Sequence, residues 1–334
     1  MLFRSVQITQ RQTALYDAAP NLVSKPVFLR HPSATAFYSY MLLLFRFLSL
    51  FPLAFLHACG GVLGWLVWAG SPRYRAQFRA NVEQAGLTFE AARPAIAEAG
   101  RFVAELPKLW MRPQNESCLD SAAYRVTFEG QAHAQEAFGH GKGVIFFGPH
   151  CGSFELGPQA LAELYGPITA IYRPARKPWL AAIEQATRQR PQLTVVPASL
   201  RGIRLMHKTL KANQAVALLT DQVPPEGLGV WAPFFGKPAY TMTLAARLAL
   251  QSGAVLLPVS CERLSGGHGY AIKIWPSVDV YTGLDGAIQS DLLPVVTRIN
   301  AAIEAIVLSQ PGQYLWGYGR YKTPRQESSS KGAP

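Results

Sequence analysis

From Phe47 to Gly70 the sequence carries no Lys, Arg, Asp or Glu. A single membrane span needs about 20 mostly apolar residues, so this run is long enough to cross a bilayer. Pro52, His57, Gly60 and Gly61 interrupt it, which equally fits two shorter helices lying in the membrane interface. A buried core helix is the plainer alternative. The run is too long and starts too far along the chain for a standard signal peptide. Behind it comes SPRYRAQFRANVEQAG, where Arg73, Arg75 and Arg79, with Arg46 upstream, would sit near anionic head groups and favour the cytoplasmic side. Residues 36–70 are therefore expected to form a membrane-associated apolar helix or helix pair. Residues 1–35 show no periodicity and are rich in Gln, Thr, Ser and Pro, as in a loosely ordered arm; a true start nearer Met41 is the other reading.

Of the 334 residues 49% are hydrophobic, and the mean hydropathy is +0.09. That is too low for a polytopic membrane protein and fits a globular core with one membrane-seeking element. The net charge of +12 points to polyanionic partners without choosing among them. Cys59, Cys118, Cys151 and Cys261 form no CxxC pair, so neither a zinc site nor a disulfide framework is expected.

From about residue 124 short apolar runs alternate with helical stretches. GVIFFG (143–148), ITAIY (168–172), LTVVP (193–197), QAVALLT (214–220), AVLLPVS (254–260) and YAIKIW (270–275) read as strands. Helices are expected over 153–166, with Ser153 as N-cap, and over 177–190, 202–213, 241–253 and 291–309. This predicts an α/β domain over 71–325, a mainly parallel mixed sheet covered by helices, followed by a disordered tail at 326–334. No GxGxxG follows a strand, which leaves a dinucleotide fold without support.

Ligands in such sheets bind at the carboxyl ends of strands. Two strands end in reactive residues: GVIFFG before Pro149-His150, and QAVALLT before Asp221-Gln222. In HCGSFE, a turn could bring Glu155, in the first turn of the next helix, against the His150 imidazole. The carboxylate would fix the tautomer while the other ring nitrogen takes a proton from a hydroxyl, with helix N-terminal amides nearby for an oxyanion. The spacing alone is weak, since seven His and twenty acids give roughly 0.4 chance matches to H-x4-[DE]. Cys151 is a rival nucleophile, but adjacent side chains on an extended turn point apart. Downstream, Arg173, Arg176, Lys177, Arg188, Arg190, Arg201, Arg204, Lys208 and Lys211 face only one acid, Glu184, between residues 167 and 220. That bias suits an anionic substrate or acidic carrier; some of these bases would simply face water. PFFGKPAYT (233–241) and QYLWGYGRYK (313–322) read either as packing or as a lined acyl groove with Lys237, Arg320 and Lys322 at its rim.

PHCGSFE, YRPARKPWL, TDQVPPEGLGVWAPFFGKPAYTMTLAARLA and QPGQYLWGYGRYK, in that order, resemble the lipid A biosynthesis (late) acyltransferase family, and the apolar run with YRAQFRANVEQAG resembles its membrane segment. The resemblance covers roughly residues 40–322. It implies a glycerolipid-acyltransferase-like fold, and transfer of a fatty acyl group from acyl carrier protein to a hydroxyl of a lipid A precursor at the cytoplasmic face of a bacterial inner membrane. The family's HX4[DE] motif maps onto His150 and Glu155, its helix arginine onto Arg188 or, two residues on, Arg190, and its D-[QH] aspartate onto Asp221. Under this reading His150 is the general base, Glu155 orients it, Arg188 and nearby bases hold phosphate or oxyanion, and Asp221 supports them, with no cofactor or metal required. Cys-Gly-Ser-Phe stands where Phe-Gly-Asn-Trp is frequent, and Gly319 where Arg is common, which bears on the acceptor. A lysophospholipid or other membrane-lipid acyltransferase is the nearest rival, although Pro149 stands where that branch has Asn. A basic, non-catalytic membrane-binding protein is the rival of another class. A nucleic-acid partner has no signature beyond charge.

Overall fold

The structure, a computed structural model, describes residues 32–281 and 292–325. Most of the expected N-terminal arm, and the expected tail at 326–334, lie outside the described residues.

The apolar run folds as two helices, α1 (Pro32–Ser49) and α2 (Leu53–Gly70). They part at Pro52, which has no N–H to continue a helix. Among the described residues α2 is the one helix long and apolar enough to cross a membrane, by length and composition. Helix α3 (Pro72–Gln84) follows at once because Ser71 caps it, accepting the Tyr74 N–H at 3.3 Å. Arg75 in turn donates to the carbonyls of Trp68 (2.7 Å) and Ala69 (2.6 Å), satisfying the C-terminal end of α2. A short α4 (Phe89–Ala92) leads to α5 (Pro94–Trp110). Lys108 of α5 closes the other joint by donating to Ser49 O (2.9 Å) and Phe51 O (3.2 Å).

Helix α2 lies along α5 at backbone contact. A Cβ on Gly100 would stand 2.0 Å from Gly60 O, and one on Gly64 would stand 2.1 Å from Ile96 O. Gly100→Val is therefore expected to prise the helices apart and lower stability by about 1–3 kcal/mol, read as a drop in Tm. Inward from this contact is a buried charge cluster. Glu105 accepts from Arg263 Nε (2.8 Å) and Nη2 (2.7 Å) and from the Tyr270 hydroxyl (3.0 Å), while His57 Nε2 lies 3.0 Å from its Oε2. Arg263 also donates to Glu98 at 2.6 Å, and Glu98 accepts from Arg101 as well.

The α/β part runs β1 (Arg125–Glu129), α6 (Gln131–Gly139), β2 (Val144–Gly148), α7 (Gly157–Tyr165), β3 (Ile168–Tyr172), α8 (Pro178–Thr187), β4 (Leu193–Pro197), α9 (Leu200–Lys211) and β5 (Ala215–Leu219). It continues with β6 (Gly229–Phe234), β7 (Lys237–Met242), α10 (Leu244–Ser252), β8 (Val255–Arg263), β9 (Gly269–Ile274) and α11 (Leu293–Ser309). Seven strands form one sheet in the order β1-β9-β8-β2-β5-β3-β4. Only the β8–β9 pair is antiparallel, so the mainly parallel mixed sheet expected from the sequence is present. Alternation along β2 feeds two cores. Val144 and Phe146 pack with α6, α7 and α8, whereas Ile145 and Phe147 pack with α9, α10 and α11.

Two expectations need correction. Helix α7 starts at Gly157 rather than Ser153, because residues 153–156 form turns, and Ser153 makes no cap. The segment around PFFGKPAYT is a β-hairpin, β6–β7, turning at Phe235-Gly236 with φ of 46° and 72°. Two positive φ values suit the twist of a tight hairpin.

Candidate active site

Strands β2 and β5 are hydrogen-bonded neighbours in parallel register, with Gly148 opposite Leu219. Two residues further, His150 and Asp221 also face each other. His150 Nδ1 lies 2.6 Å from Asp221 Oδ1, and the His150 main-chain N–H donates to Asp221 Oδ2 at 3.0 Å. Asp221 is buried. Burial by itself pushes its carboxyl up, but the charge and hydrogen bonds of His150, with help from Arg320, outweigh this and hold it below the usual carboxylate range. An ionised Asp221 only accepts, so Nδ1 carries the proton and Nε2 presents its lone pair. The Gln222 amide nitrogen lies 3.1 Å from Nε2 and is its donor.

Glu155 is not the partner of His150, contrary to expectation. It sits in the turn before α7, where its carboxylate accepts from Arg188 Nε (3.1 Å), Arg188 Nη2 and Trp110 Nε1 (3.1 Å). The ring of Phe154 packs edge-on against His150 at 4.8 Å. The Arg188 guanidinium lies over both Trp110 (5.2 Å) and Tyr172 (5.3 Å). Phe45 of α1 stacks on Trp110 at 5.9 Å.

His150, Glu155, Arg173, Arg188 and Gln222 line a cavity of about 690 Å³ at the carboxyl ends of β2, β3 and β5. Apolar side chains such as Phe146, Leu161, Leu193, Ile203, Leu218 and Leu244 form most of its wall. Its size is that of a typical small-molecule site.

Several expected residues lie elsewhere. Arg320 is not on a rim. It is buried, donating to Tyr240 O (2.9 Å) and Thr241 Oγ1 (2.5 Å), and it sits 4.8 Å from the Phe234 ring. Lys237 is exposed, its ammonium over the Tyr321 ring at 5.0 Å, and it does not line the cavity. Arg190 is also buried. It donates to the carbonyls of Leu109 (2.9 Å) and Arg112 (3.2 Å), so of the two arginines weighed from the sequence Arg188 is the one in the cavity. Cys151 is a poor nucleophile: burial pushes its thiol far up, and its Sγ points to Gln310 O. The N–H groups of residues 150–153 are taken up by Asp221, Pro149, Gln313 and Cys261 respectively, so these four amides are not the donors of an oxyanion site. Trp110 and Phe154 were missed from sequence, and Gln222 was noted beside the strand-end aspartate without being given a role. Among the described residues no three His, Cys, Asp or Glu side chains gather as a metal ion would require.

A buried carboxylate and an imidazole at the ends of parallel strands, opening on an apolar cavity, make up a site suited to activating a hydroxyl beside a lipid chain. The model of the bacterial lipid A biosynthesis acyltransferases matches residues 25–323, and the chain belongs to that family. It is 30% identical over 204 residues to a lipid A biosynthesis palmitoleoyltransferase of Escherichia coli, covering 60% of this chain and 63% of the relative. It is 26% identical over 195 residues to a lipid A biosynthesis lauroyltransferase of the same organism (58% and 61%). A phosphatidylinositol mannoside acyltransferase of Mycobacterium tuberculosis is 26% identical over 166 residues (49% and 52%). Each match spans less than two thirds of the relative's own length.

Proposed function

We propose that this chain is a membrane-associated acyltransferase that moves a fatty acyl group from the thioester of acyl carrier protein to a hydroxyl of a lipid A precursor, at the cytoplasmic face of a bacterial inner membrane. The observation that carries this reading is the His150–Asp221 pair, 2.6 Å apart, with His150 lining an apolar cavity. The acceptor hydroxyl displaces the Gln222 amide from Nε2 and gives its proton to that nitrogen as its oxygen attacks the thioester carbon. Asp221 stabilises the imidazolium. The released Gln222 amide and Arg188, which line the same cavity, are the donors assigned to the tetrahedral oxyanion. Collapse breaks the C–S bond, and the thiolate takes the proton back from Nε2, leaving an ester and a thiol. Glu155 holds Arg188 in place, and Arg173 at the cavity edge adds a cation for phosphate.

The family and the two Escherichia coli relatives support a lipid A type acceptor, and the net charge of +12 supports an acidic carrier as donor. The similarity to a phosphatidylinositol mannoside acyltransferase favours, as a second reading, another membrane lipid as acceptor. Mass spectrometry of lipids from a deletion strain separates them. Loss of one secondary acyl chain from lipid A is the expected result, restored by the wild-type chain and not by His150→Ala. Unchanged lipid A with altered phospholipids or glycolipids would move the assignment to the second reading.

A further inference from the structure

Both ends of α2 seat in one α/β body. At its start Leu53 is buried in the core that holds Leu109 and Trp110, and the backbone of Ala54 meets the β8–β9 turn so closely that a Cβ on Gly267 would stand 2.5 Å from Ala54 N. At its end Trp68 packs on Phe78 (5.1 Å) and Phe89 (5.7 Å), against the other core. Between them Leu56, His57, Gly60, Gly61 and Gly64 all point inward. Eighteen residues of helix are about 27 Å long, close to the thickness of bilayer hydrocarbon, so a helix that crosses leaves its ends on opposite sides. The ends of α2 are on the same side. Its neighbour α5 also carries Glu98, Arg101, Glu105 and Lys108, charges that a spanning arrangement would drag into hydrocarbon.

The outward face is apolar from one helix to the next. Leu43, Leu44 and Phe47 of α1 are exposed, and so are Phe55, Val62 and Leu66 of α2. The rings of Phe47, Phe51 and Phe55 follow one another at 5.2 and 5.0 Å, carrying the face across the Pro52 break. Cations stand at its edge: Arg46 and Arg73 are exposed, and Arg79 and Arg93 lie over Trp68 (5.8 Å) and Trp65 (5.6 Å). Indole and guanidinium groups beside an apolar face suit the head-group level of a membrane carrying anionic lipid.

We propose that α1 and α2 form an in-plane anchor that sinks into one leaflet of an anionic bilayer, and that α2 does not cross it. This rests on the membrane-associated reading given above. It also places the site: Phe45 of α1 stacks on Trp110, whose indole binds Glu155, so the cavity opens beside the anchored helix and its acceptor arrives from the leaflet.

Cys59, the one exposed cysteine of four, gives a natural probe on the outer face of α2. A nitroxide is placed there, and at Phe55→Cys and Leu66→Cys in a Cys59→Ser background. The full chain is bound to vesicles of phosphatidylglycerol and phosphatidylethanolamine, and depth is read from the balance of oxygen and nickel-chelate collisions. Flotation with the vesicles is expected, with all three labels at one depth about 5–10 Å below the phosphates. Positions 55 and 66 are eleven residues apart, so a spanning helix would separate them by about 16 Å in depth; such a gradient in floating protein overturns the in-plane anchor and leaves membrane association standing. Failure to float overturns both. A doubled mass in vesicle-free solution, with labels shielded from both collision agents and no flotation, would assign the face to a second copy of the chain and overturn the proposal.

Discussion

Asp221→Asn is expected to lower kcat about 1,000-fold while leaving the fold intact, and His150→Ala to lower it by a similar factor. The argument rests on the tautomer. Ionised Asp221 pins the proton on Nδ1, 2.6 Å away, and leaves Nε2 free to accept another. An asparagine amide offers Nδ1 either a donor or an acceptor, so the ring can hold its proton on the wrong nitrogen. The loss should fall on kcat, because in the proposed mechanism the pair acts on the reacting hydroxyl rather than on acyl-chain binding. The double variant should be little worse than either single one, since neither residue works without the other. Glu155→Gln should differ in kind: its carboxylate engages Arg188 and Trp110, so weaker substrate retention, seen in KM, is expected there. Steady-state assays with purified acyl carrier protein donor decide between these outcomes. Near-wild-type turnover of Asp221→Asn would remove the pair from the mechanism.

The second large effect concerns stability. Glu105→Ala leaves Arg263 buried without its two-point partner and should cost about 3–5 kcal/mol in chemical denaturation. The double variant Glu105→Leu/Arg263→Met should cost less than the sum of the single changes, because it removes both buried charges together. Burial pushes the Glu105 carboxyl up, yet Arg263 and His57 outweigh it and bring it down to about 2. The folded value lies below the ordinary one of 4.5. This contribution, on the order of 3 kcal/mol, is therefore complete above about pH 4.5 and fades as the pH falls toward 2. Acid unfolding of the wild type should be steep over that window, and in Glu105→Gln the slope should flatten there. An unchanged slope would mean that Glu105 does not hold its charge in the folded chain.

The strands were legible where burial on both faces forces a continuous apolar run. VIFFG, buried along its whole length, forms β2, and ITAIY and the partly exposed edge strand LTVVP, whose runs are still mostly apolar, fold as β3 and β4 over the residues read from the sequence. The half-exposed edge strand β1 lacks such a run. The β6–β7 hairpin, with Pro233, Gly236 and Pro238 close together, carries turn chemistry that hides its strands. In the site, His150 was legible as a histidine after a strand. Its partner was not, because a contact 71 residues distant in sequence depends on which strands lie side by side. The five-residue step to Glu155 suggested a local pair. Residues 153–156 form turns rather than helix, and that carboxylate goes to Arg188 and Trp110 instead.

The loop bearing His150 is fastened by the last part of the fold. Gly152 donates to Gln313 O, Leu315 donates to His150 O, and Cys151 bridges to Tyr314. The apolar helices and every strand of the sheet precede residues 313–315 in the chain and so are synthesised before them. The sheet's strands are thus all made before the segment that fastens the His150 loop. A stop codon between α11 and Gln313 would yield a protein with nearly the whole fold and an unfastened histidine loop, so activity should begin only when synthesis is almost finished.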